Sequence, residues 1–380
     1  MTKNLNVLIA VDKFKGSLTG IELSSAIAKG LCESLGNSYS PMTCPIADGG
    51  DGTVDVALSA GYQEVTTTVC GPLKEKVRAR FAYDLSTATA VIEVAEACGL
   101  RRIPANELNT WDATSFGVGE LILAALKQGA RNIVLGLGGS ATTDGGAGML
   151  QALGAQILDA QGNPVAHGGG ALGNVETVDL STLDSRLGVV NFSTACDVRN
   201  PLLGQNGAAV VYGPQKGATA EQVKMLDAHL KHFSNLLELN LNVSRETFSG
   251  QPGAGAAGGL GFACFVLGAT MRPGVELCFE LTGFYRKLEN ADVVITGEGK
   301  LDRQTLQGKG PAGVASAARA RNKPVFAVCG SNELSEREAQ EAGFAQVCAV
   351  LDLGISLEES LANPVPYVEI LGRTLGEAIT

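Results

Sequence analysis

The sequence of 380 residues predicts an α/β protein in which a discontinuous, doubly wound parallel-sheet domain carries the middle of the chain as an insert. Three observations lead to this prediction. Strand and helix patterns alternate at both ends of the chain, and the middle begins with strand patterns that follow one another directly. The length also exceeds the roughly 250 to 300 residues at which a single hydrophobic core stops growing, so two domains are expected.

The N-terminal segment has the pattern of a β-α-β unit. The continuous apolar run LNVLIAV (5–11) has the length of a strand, and TGIELSSAIAKGLCESLG (19–36) places apolar residues at helical spacing. Thr19 and Glu22 match the capping box found at the start of many helices. SYSPMTCPI then predicts a second strand, which ends at the glycine-rich segment ADGGDGT.

The pattern changes from about residue 64 onward. EVTTTV, VRARFAYD and ATAVIEVA follow one another as strands, and RARFAY alternates polar and apolar residues as a half-solvated antiparallel strand does. A helix around SFGVGELILAALKQG, the strand NIVLGLG, a helix through AGMLQALG and a polar helix over 220–240 come next. This change of composition indicates a domain boundary.

Regular alternation returns at Asp292. DVVITG, PVFAVCG and QVCAVLD predict strands. Helical patterns follow these strands near 311–321, 335–342 and 366–379. Because the N-terminal unit is too small to fold alone and shares this style, we predict one domain from residues 1–65 together with 291–380, and an inserted α/β domain from residues 66–290.

Charge and composition exclude several classes of protein. The net charge of −10 and a pI near 5.0 argue against nucleic acid or an anionic membrane as a partner, because the field would repel a phosphate backbone. The apolar stretch Val7 to Val11 is too short for a signal sequence, and no run approaches the ~18 apolar residues of a membrane span. The nine cysteines lack a C-x-x-C pair, which indicates buried thiols in a reducing cytoplasm.

The segment GLGGSATTDGGAGML (136–150) follows an apolar strand and leads into a helix. Free N–H groups and the positive end of a helix dipole at such a point suit a phosphate or a carboxylate. Three interpretations stay open. GLGGSA fits a dinucleotide-binding loop, with Asp159 near the expected ribose-binding position and PGAGAAG as a second match. The segment also resembles the GLxSSA phosphate loop of the GHMP kinases, and it fits a tight turn that allows close helix packing.

Carboxylates and lysines near the glycines favour phosphoryl transfer. Asp144 would face a pyrophosphate unless a cation such as Mg²⁺ lay between them. Similar combinations recur in ADGGDGT, ACDVRNPLLG, GPQKGA and TGEGKLDRQTLQGKGP. Carboxyl ends of strands line the ligand crevice of open α/β sheets, where carboxylates can bind Mg²⁺ and lysines can bind phosphate. A P-loop is excluded, because LQGKG lacks the upstream glycine and the following Ser or Thr.

These segments resemble the signature segments of the bacterial glycerate kinases of type I, in order and over essentially the whole chain. The matching segments are VDKFKGSL, IADGGDGTVD, GPLKEKV, GLGGSATTDGGAGML, ACDVRNPL, GPQKGA, PGAGAAGGLG and TGEGKLDRQTLQGKGP. The resemblance implies ATP-dependent phosphorylation of D-glycerate with Mg²⁺, with 2-phosphoglycerate favoured over 3-phosphoglycerate. It also implies a Rossmann-like domain with a larger inserted domain and an active site in the crevice between them. Lys13 departs from the family, which often has Ser there, and this bears on the fine substrate contacts.

Glycerate carries a carboxylate and two hydroxyls, so its site needs a cationic or N–H clamp and an acceptor for the hydroxyl proton. We expect Lys15 to clamp the substrate or the γ-phosphate, and Asp197 to be the base, with Asp48 behind it. A solvated surface lysine and a turn-forming or helix-capping aspartate are the competing interpretations. The expected metal ligands are Asp144, Glu298 and Asp302. The residues expected to bind substrate or phosphate are Lys15, Ser17, Gly49, Gly50, Asp51, Gly138, Gly139, Ser140, Lys216, Gly255, Lys300 and Lys309.

Two other functions stay open from the residues alone. One is an NAD-dependent oxidoreductase of a small hydroxy acid, and the other is a non-catalytic protein that binds a small anion. The three histidines, His167, His229 and His232, lie outside every loop that combines acids with lysines. This weakens the oxidoreductase, which would need a proton-transfer residue near the hydride. A monomer and a homodimer are both compatible with the sequence.

Overall fold

The computed structural model describes residues 4–47, 49–307 and 310–379. Its strands are β1 (Leu5–Val11), β2 (Tyr39–Thr43), β3 (Gln63–Cys70), β4 (Lys76–Asp84), β5 (Thr89–Glu93), β6 (Asn132–Gly136), β7 (Gln156–Leu158), β8 (Thr177–Asp179), β9 (Asn191–Ala195), β10 (Thr270–Arg272), β11 (Val293–Leu301), β12 (Val325–Asn332) and β13 (Phe344–Ala349). Its α-helices are α1 (Gly20–Leu35), α2 (Thr53–Ser59), α3 (Val94–Cys98), α4 (Phe116–Lys127), α5 (Ala147–Ala152), α6 (Ala208–Tyr212), α7 (Ala220–Asn240), α8 (Leu260–Val266), α9 (Gly274–Thr282), α10 (Phe284–Asn290), α11 (Gly310–Arg319), α12 (Glu336–Ala342), α13 (Leu357–Ala362) and α14 (Pro364–Ile379).

One sheet contains five parallel strands in the order β13-β12-β11-β1-β2. Both of its faces are covered by helices, as the side chains of β1 show. Val7 and Ile9 pack in a core with α1 and α14, whereas Leu8 and Ala10 pack in a core with α10 and α11. Alternate residues of a strand point to opposite faces, so a strand covered on both sides needs the continuous apolar run seen in the sequence.

The chain reverses its direction of travel across this sheet between β1 and β11. From β1 it passes through α1 to β2 at one edge, and from β11 it passes through α11 and α12 to β12 and β13 at the other edge. Ligands of doubly wound sheets bind outside the carboxyl ends of the strands at such a reversal. The loops that follow β1 and β11 are therefore placed for ligand binding.

The second large sheet is mixed and has the order β10-β9-β6-β5-β4-β3. Its strands β5, β6, β9 and β10 are parallel, and β3 and β4 form an antiparallel ribbon at one edge. Ala79 and Phe81 of β4 are buried whereas Arg78 is exposed, as expected for a half-solvated strand, but Ala82 is also buried, so the end of the strand is covered on both faces. The carboxyl ends of the parallel strands again share one edge.

The chain divides into two compact units. The first comprises residues 1–48, 55–60 and 275–380 and the second comprises residues 49–54 and 61–274. A discontinuous, doubly wound parallel sheet and a larger inserted α/β part confirm the predicted fold class. The boundaries of the domains at residues 65 and 290 stay a prediction.

Candidate active site

The chain leaves β1 in a tight turn that presents Lys15 to solvent. Phe14 and Leu18 are buried and pair with each other, with N–H to O distances of 2.9 and 3.0 Å. Gly16 lies between them at φ +86°, a backbone conformation that glycine adopts without strain. Lys15 is exposed and forms no salt bridge with the described residues. The turn therefore holds an ammonium group at the carboxyl end of β1, where the sequence predicts a clamp.

Two carboxylates and a lysine occupy the carboxyl end of β11. Glu298 Oε1 accepts the hydroxyl of Thr305 at 2.5 Å, and Asp302 Oδ1 accepts the backbone N–H of Thr305 at 3.3 Å. Lys300 Nζ lies 2.9 Å from a carboxylate oxygen of Glu333 and 3.8 Å from one of Asp302. The hydrogen bond that the Lys300 ammonium donates to Glu333, reinforced by the charges of Glu333 and Asp302, raises the pKa of Lys300. This end of the sheet thus holds both signs of charge in fixed positions.

A cavity of about 790 Å³ runs along this carboxyl edge. Its volume lies within the range of roughly 300 to 1,000 Å³ that is typical of small-molecule sites. Five of the residues predicted to bind ligand or metal line it together, namely Lys15, Ser17, Glu298, Lys300 and Asp302. The cavity lies at the carboxyl ends of β1 and β11, where the direction of the chain across the sheet reverses.

The donor atoms in this cavity fit Mg²⁺ that arrives with a phosphate ligand. Glu298 and Asp302 supply carboxylate oxygens and Thr305 supplies a hydroxyl, which are hard ligands of the kind Mg²⁺ prefers. Within the described parts of the chain, no three or more His, Cys, Asp or Glu side chains form a group that could hold a metal ion. Mg²⁺ at nucleotide sites usually takes one or two carboxylates and completes its shell with phosphate and water. The roles of Glu298 and Asp302 as metal ligands stay a prediction.

In the second unit, two glycine-rich segments pack directly against each other. The N–H of Gly138 donates to the carbonyl of Gly49 at 3.4 Å, and a Cβ atom on Gly138 would lie 2.3 Å from Cα of Gly50. A Cβ on Gly49 would lie 2.8 Å from the backbone of Ala195, at the end of β9. These glycines therefore allow residues 49–50 to pack against the carboxyl ends of β6 and β9. Whether they also contact a ligand stays a prediction.

Asp144 is fully buried and hydrogen-bonded from four sides. It accepts the backbone N–H and the hydroxyl of Ser115, each at 2.8 Å, and the backbone N–H groups of Gly146 at 3.1 Å and Gly148 at 3.3 Å. Both carboxylate oxygens are used, so Asp144 joins its loop to the starts of α4 and α5. Its predicted role as a metal ligand stays a prediction beside this structural one.

Lys216 is also buried, with 4% of its surface exposed. Its ammonium donates to the hydroxyl of Ser140 at 2.9 Å and to the carbonyl of Thr142 at 2.8 Å. Burial lowers the pKa of Lys216 to about 8, and the thiol of Cys98 and the carboxylate of Asp144 act in the opposite direction. Lys216 therefore stabilises the glycine-rich loop through hydrogen bonds to Ser140 and Thr142. Its contact with phosphate stays a prediction.

Gly139 and Gly255, which the sequence analysis expects to bind substrate or phosphate, lie where a side chain would not fit. Gly139 has φ +73°, and a Cβ there would lie 2.7 Å from Oδ1 of Asp51. The same Oδ1 lies 3.2 Å from the guanidinium of Arg101. A Cβ on Gly255 would lie 2.2 Å from the carbonyl oxygen of Pro201. Close packing explains both glycines, and their ligand contacts stay predictions.

Asp197 is exposed just beyond the carboxyl end of β9. Its Oδ1 accepts the backbone N–H of Gly274, the first residue of α9, at 3.0 Å. Such a contact fits a helix cap, and the exposure of Asp197 is compatible with a role toward a substrate hydroxyl. Both interpretations of Asp197 therefore remain. Asp48 and Lys309, which are also predicted site residues, lie outside the described residues.

Glu93 is a candidate site residue that the sequence analysis missed. It ends β5, is 4% exposed, and pairs in register with Gly136. Its Oε1 accepts the N–H groups of Gly52 at 3.0 Å and Val54 at 2.6 Å, so it fixes residues 52–54, where α2 begins. The signal in the sequence is a single acid within the apolar run AVIEVA, because a buried acid needs internal partners.

A switch-point cavity lined by lysines and carboxylates, in a doubly wound α/β fold, is typical of an enzyme that acts on a small charged substrate. Comparison with known proteins gives the family. Residues 7–380 match the model of the glycerate kinase family. The chain is 41% identical to glycerate kinase of Bacillus subtilis (strain 168), over 99% of this chain and 98% of that protein.

Two further relatives agree. The chain is 42% identical to glycerate 2-kinase of Escherichia coli (strain K12), over 94% of this chain and 93% of that protein. The crystal structure described as glycerate kinase 2 from Salmonella typhimurium LT2 superposes with a TM-score of 0.87 at 39% identity, covering 99% of this chain and 98% of that one. The chain belongs to the glycerate kinase family, which confirms the resemblance and shows that the protein is an enzyme.

Proposed function

We propose that the protein transfers the γ-phosphoryl group of ATP to a hydroxyl of D-glycerate with the help of Mg²⁺, and that 2-phosphoglycerate is favoured over 3-phosphoglycerate. The observation that carries this proposal is the cavity in which Lys15, Lys300, Glu298 and Asp302 meet at the switch point of the parallel sheet. The relative from Escherichia coli is named a glycerate 2-kinase, which supports the choice of hydroxyl.

In the proposed reaction, a glycerate hydroxyl oxygen attacks the γ-phosphorus and the bond to the oxygen that bridges the β- and γ-phosphates breaks. The transition state is loose, so catalysis depends on positioning and charge. Lys15 and Lys300 supply cations at the cavity, and Ser17 supplies a hydroxyl. Lys15 either neutralises the γ-phosphoryl group or clamps the glycerate carboxylate.

Glu298 and Asp302 would hold Mg²⁺, which when bound neutralises charge on the phosphates. The hydrogen bonds from Thr305 fix both carboxylates, so little side-chain freedom is left to be lost on binding. Lys300 lies against Asp302 and keeps positive charge at this end of the cavity.

Asp197 is the proposed base that takes the hydroxyl proton, and Asp48 is the second candidate for this role. The N–H of Gly274 orients one oxygen of Asp197. A positioned base contributes typically 100- to 10,000-fold in rate. Glycines 49, 50 and 138, with Ser140 nearby, are proposed to bring backbone N–H groups close to the substrate.

The histidines take part in packing contacts. The ring of His167 stacks on Phe116 at 4.6 Å between centroids, and a ring nitrogen of His232 lies 2.6 Å from the carbonyl of Val175. No contact of this kind favours an oxidoreductase, and membership of the kinase family argues against one. In the described part of the chain, no helix has the length and apolar character needed to cross a membrane. The nine cysteines are free thiols, which supports the proposal of a cytoplasmic location; six are buried as expected, but Cys70 and Cys196 are half-buried and Cys32 is exposed.

Two variants separate the proposed base from the proposed clamp. Asp197→Asn should lower kcat by about 100-fold or more with little change in the KM for glycerate, because a base acts on the transition state. Lys15→Ala should raise KM, and should lower kcat as well only if the lysine follows the transferred charge. Steady-state kinetics with ATP, Mg²⁺ and D-glycerate measures both, with circular dichroism as the check on folding. A folded Asp197→Asn variant with nearly wild-type kcat across neutral pH would overturn the base assignment.

A further inference from the structure

The switch-point cavity changes character along the sheet. At β1 and β11 its lining is charged, with Lys15, Glu298 and Asp302. Beyond β13 it is lined by Leu351, which follows that strand, and by leucines of α13. Since β1 and β13 are three strand spacings apart, the two ends are separated by roughly 14 Å. Glycerate has three carbons and cannot occupy both ends, so the cavity fits a longer ligand.

The apolar end is formed by large side chains that are incompletely covered. Leu357 is 60% exposed and Leu361 is 47% exposed, and both line the cavity together with Leu351. Leu357 and Leu361 are four residues apart on α13 and therefore lie on the same face of the helix. A single exposed leucine needs no explanation, but three that line one cavity form a wall that a flat apolar surface could cover.

We infer that this leucine wall, formed by Leu351, Leu357 and Leu361, binds the base of the nucleotide whose phosphates lie at the charged end. A nucleoside triphosphate has the matching polarity, with a planar base whose faces are apolar at one end and phosphates at the other. Glycerate has no apolar surface that could cover leucines. This inference rests on the proposed function, because it assumes that a nucleotide is the phosphoryl donor.

The strand order places a continuous path between the two ends. Ser331 and Glu333 at the end of β12 line the cavity between the residues of β11 and the leucine wall. Both carry polar groups in the stretch where the sugar of an extended nucleotide would lie. The wall therefore continues a site whose other end holds the proposed phosphate and metal ligands.

The test compares a double variant of the wall with a matched surface variant. Leu357→Gln with Leu361→Gln removes the apolar contact at exposed positions, so folding should be retained. Leu353→Gln is the control, because Leu353 is 39% exposed in the same region and does not line the cavity. The wall variant should raise the KM for ATP by about tenfold or more, in line with lost apolar contacts in a pocket, and leave the KM for glycerate within about twofold.

A binding measurement gives a readout that does not depend on turnover. By calorimetry with Mg²⁺, the wall variant should weaken binding of ADP and leave binding of inorganic tripolyphosphate unchanged, because tripolyphosphate lacks a base. An unchanged affinity for ADP, or an equal loss for ADP and tripolyphosphate, would overturn the inference. If the wild-type protein turned over glycerate without consuming ATP, the proposed function itself would fail, and that result is separate from any effect of the wall variant.

Discussion

Asp144 and Lys216 show why residue type alone does not separate ligand-binding charges from structural ones. Both stand in glycine-rich segments, where the sequence predicts contact with metal or phosphate. In the fold each is buried and hydrogen-bonded to its own chain, Asp144 to Ser115 and Lys216 to Ser140. A carboxylate in a glycine-rich loop faces N–H groups whether it is structural or binds a ligand. Only the three-dimensional arrangement tells whether those groups belong to the protein and are already saturated.

Substitution of Asp144 should therefore act mainly on stability. We expect Asp144→Asn to lower the free energy of unfolding by about 3 kcal/mol, because hydrogen bonds to a charged group are replaced and an amide NH₂ meets backbone donors. Glu298→Gln and Asp302→Asn, in a solvent-accessible cavity, should keep the melting temperature and lose activity that raised Mg²⁺ partly restores. Thermal unfolding and Mg²⁺ titration of kcat measure both effects. An Asp144→Asn variant with wild-type stability and activity restored by Mg²⁺ would show that Asp144 is a metal ligand.

The lowered pKa of Lys216 should appear in the pH dependence of stability. The native state releases this proton near pH 8, whereas the unfolded chain holds it until about 10.5, so the unfolded state binds more protons between these values. The contribution of Lys216 to the free energy of unfolding should therefore rise from pH 8 to pH 10.5, and should be lost as pH falls through 8. Chemical unfolding of the wild type and of Lys216→Met, compared at each pH, isolates the contribution of Lys216 to the free energy of unfolding. A difference between them that is constant over this range would contradict it.

At the scale of elements, regular strands and helices were predictable because their side-chain periods are set by burial. The predicted helices near 311–321 and 366–379 are found as α11 and α14, and the apolar run 5–11 is β1. The sequence analysis did not predict the short helices α2, α3, α6, α8, α9, α10 and α13. Short elements carry too few residues to show a period, and α2 forms where Glu93 accepts N–H groups at its start. That contact joins parts of the chain far apart in sequence.

The packing of the two glycine-rich segments makes a prediction at this scale. Gly138→Ala should lower the free energy of unfolding by about 1 to 3 kcal/mol. The new Cβ would lie 2.3 Å from Cα of Gly50 and would push the backbone around Gly50 away from the loop that follows β6. Gly188→Ala is the control, since no atom lies within 4 Å of its Cβ, and should stay within about 0.5 kcal/mol of wild type. Denaturant unfolding compares the two. If Gly138→Ala were as stable as Gly188→Ala, the close packing of Gly138 on Gly50 would not contribute to stability, and the prediction would be wrong.

At the scale of the whole chain, the order of strands could not be predicted from sequence patterns. Val7 pairs with Val293, which brings the first and last parts of the chain into one sheet. Alternating patterns predict a doubly wound domain, but the neighbours of each strand are chosen by long-range packing. The cavity that gathers Lys15 and Glu298 depends on that choice. The sequence therefore named Lys15, Ser17, Glu298, Lys300 and Asp302 one by one, whereas the strand order that gathers them in one cavity follows from long-range packing.

The proposed function requires that one reaction consumes ATP and glycerate together. The most direct test is to incubate the protein with ATP, Mg²⁺ and D-glycerate and to identify the products by ³¹P NMR. We expect ADP and 2-phosphoglycerate in equal amounts, with neither formed when glycerate or Mg²⁺ is omitted. A folded protein that forms no phosphoglycerate under these conditions would contradict the proposed function, and 3-phosphoglycerate as the product would contradict the proposed choice of hydroxyl.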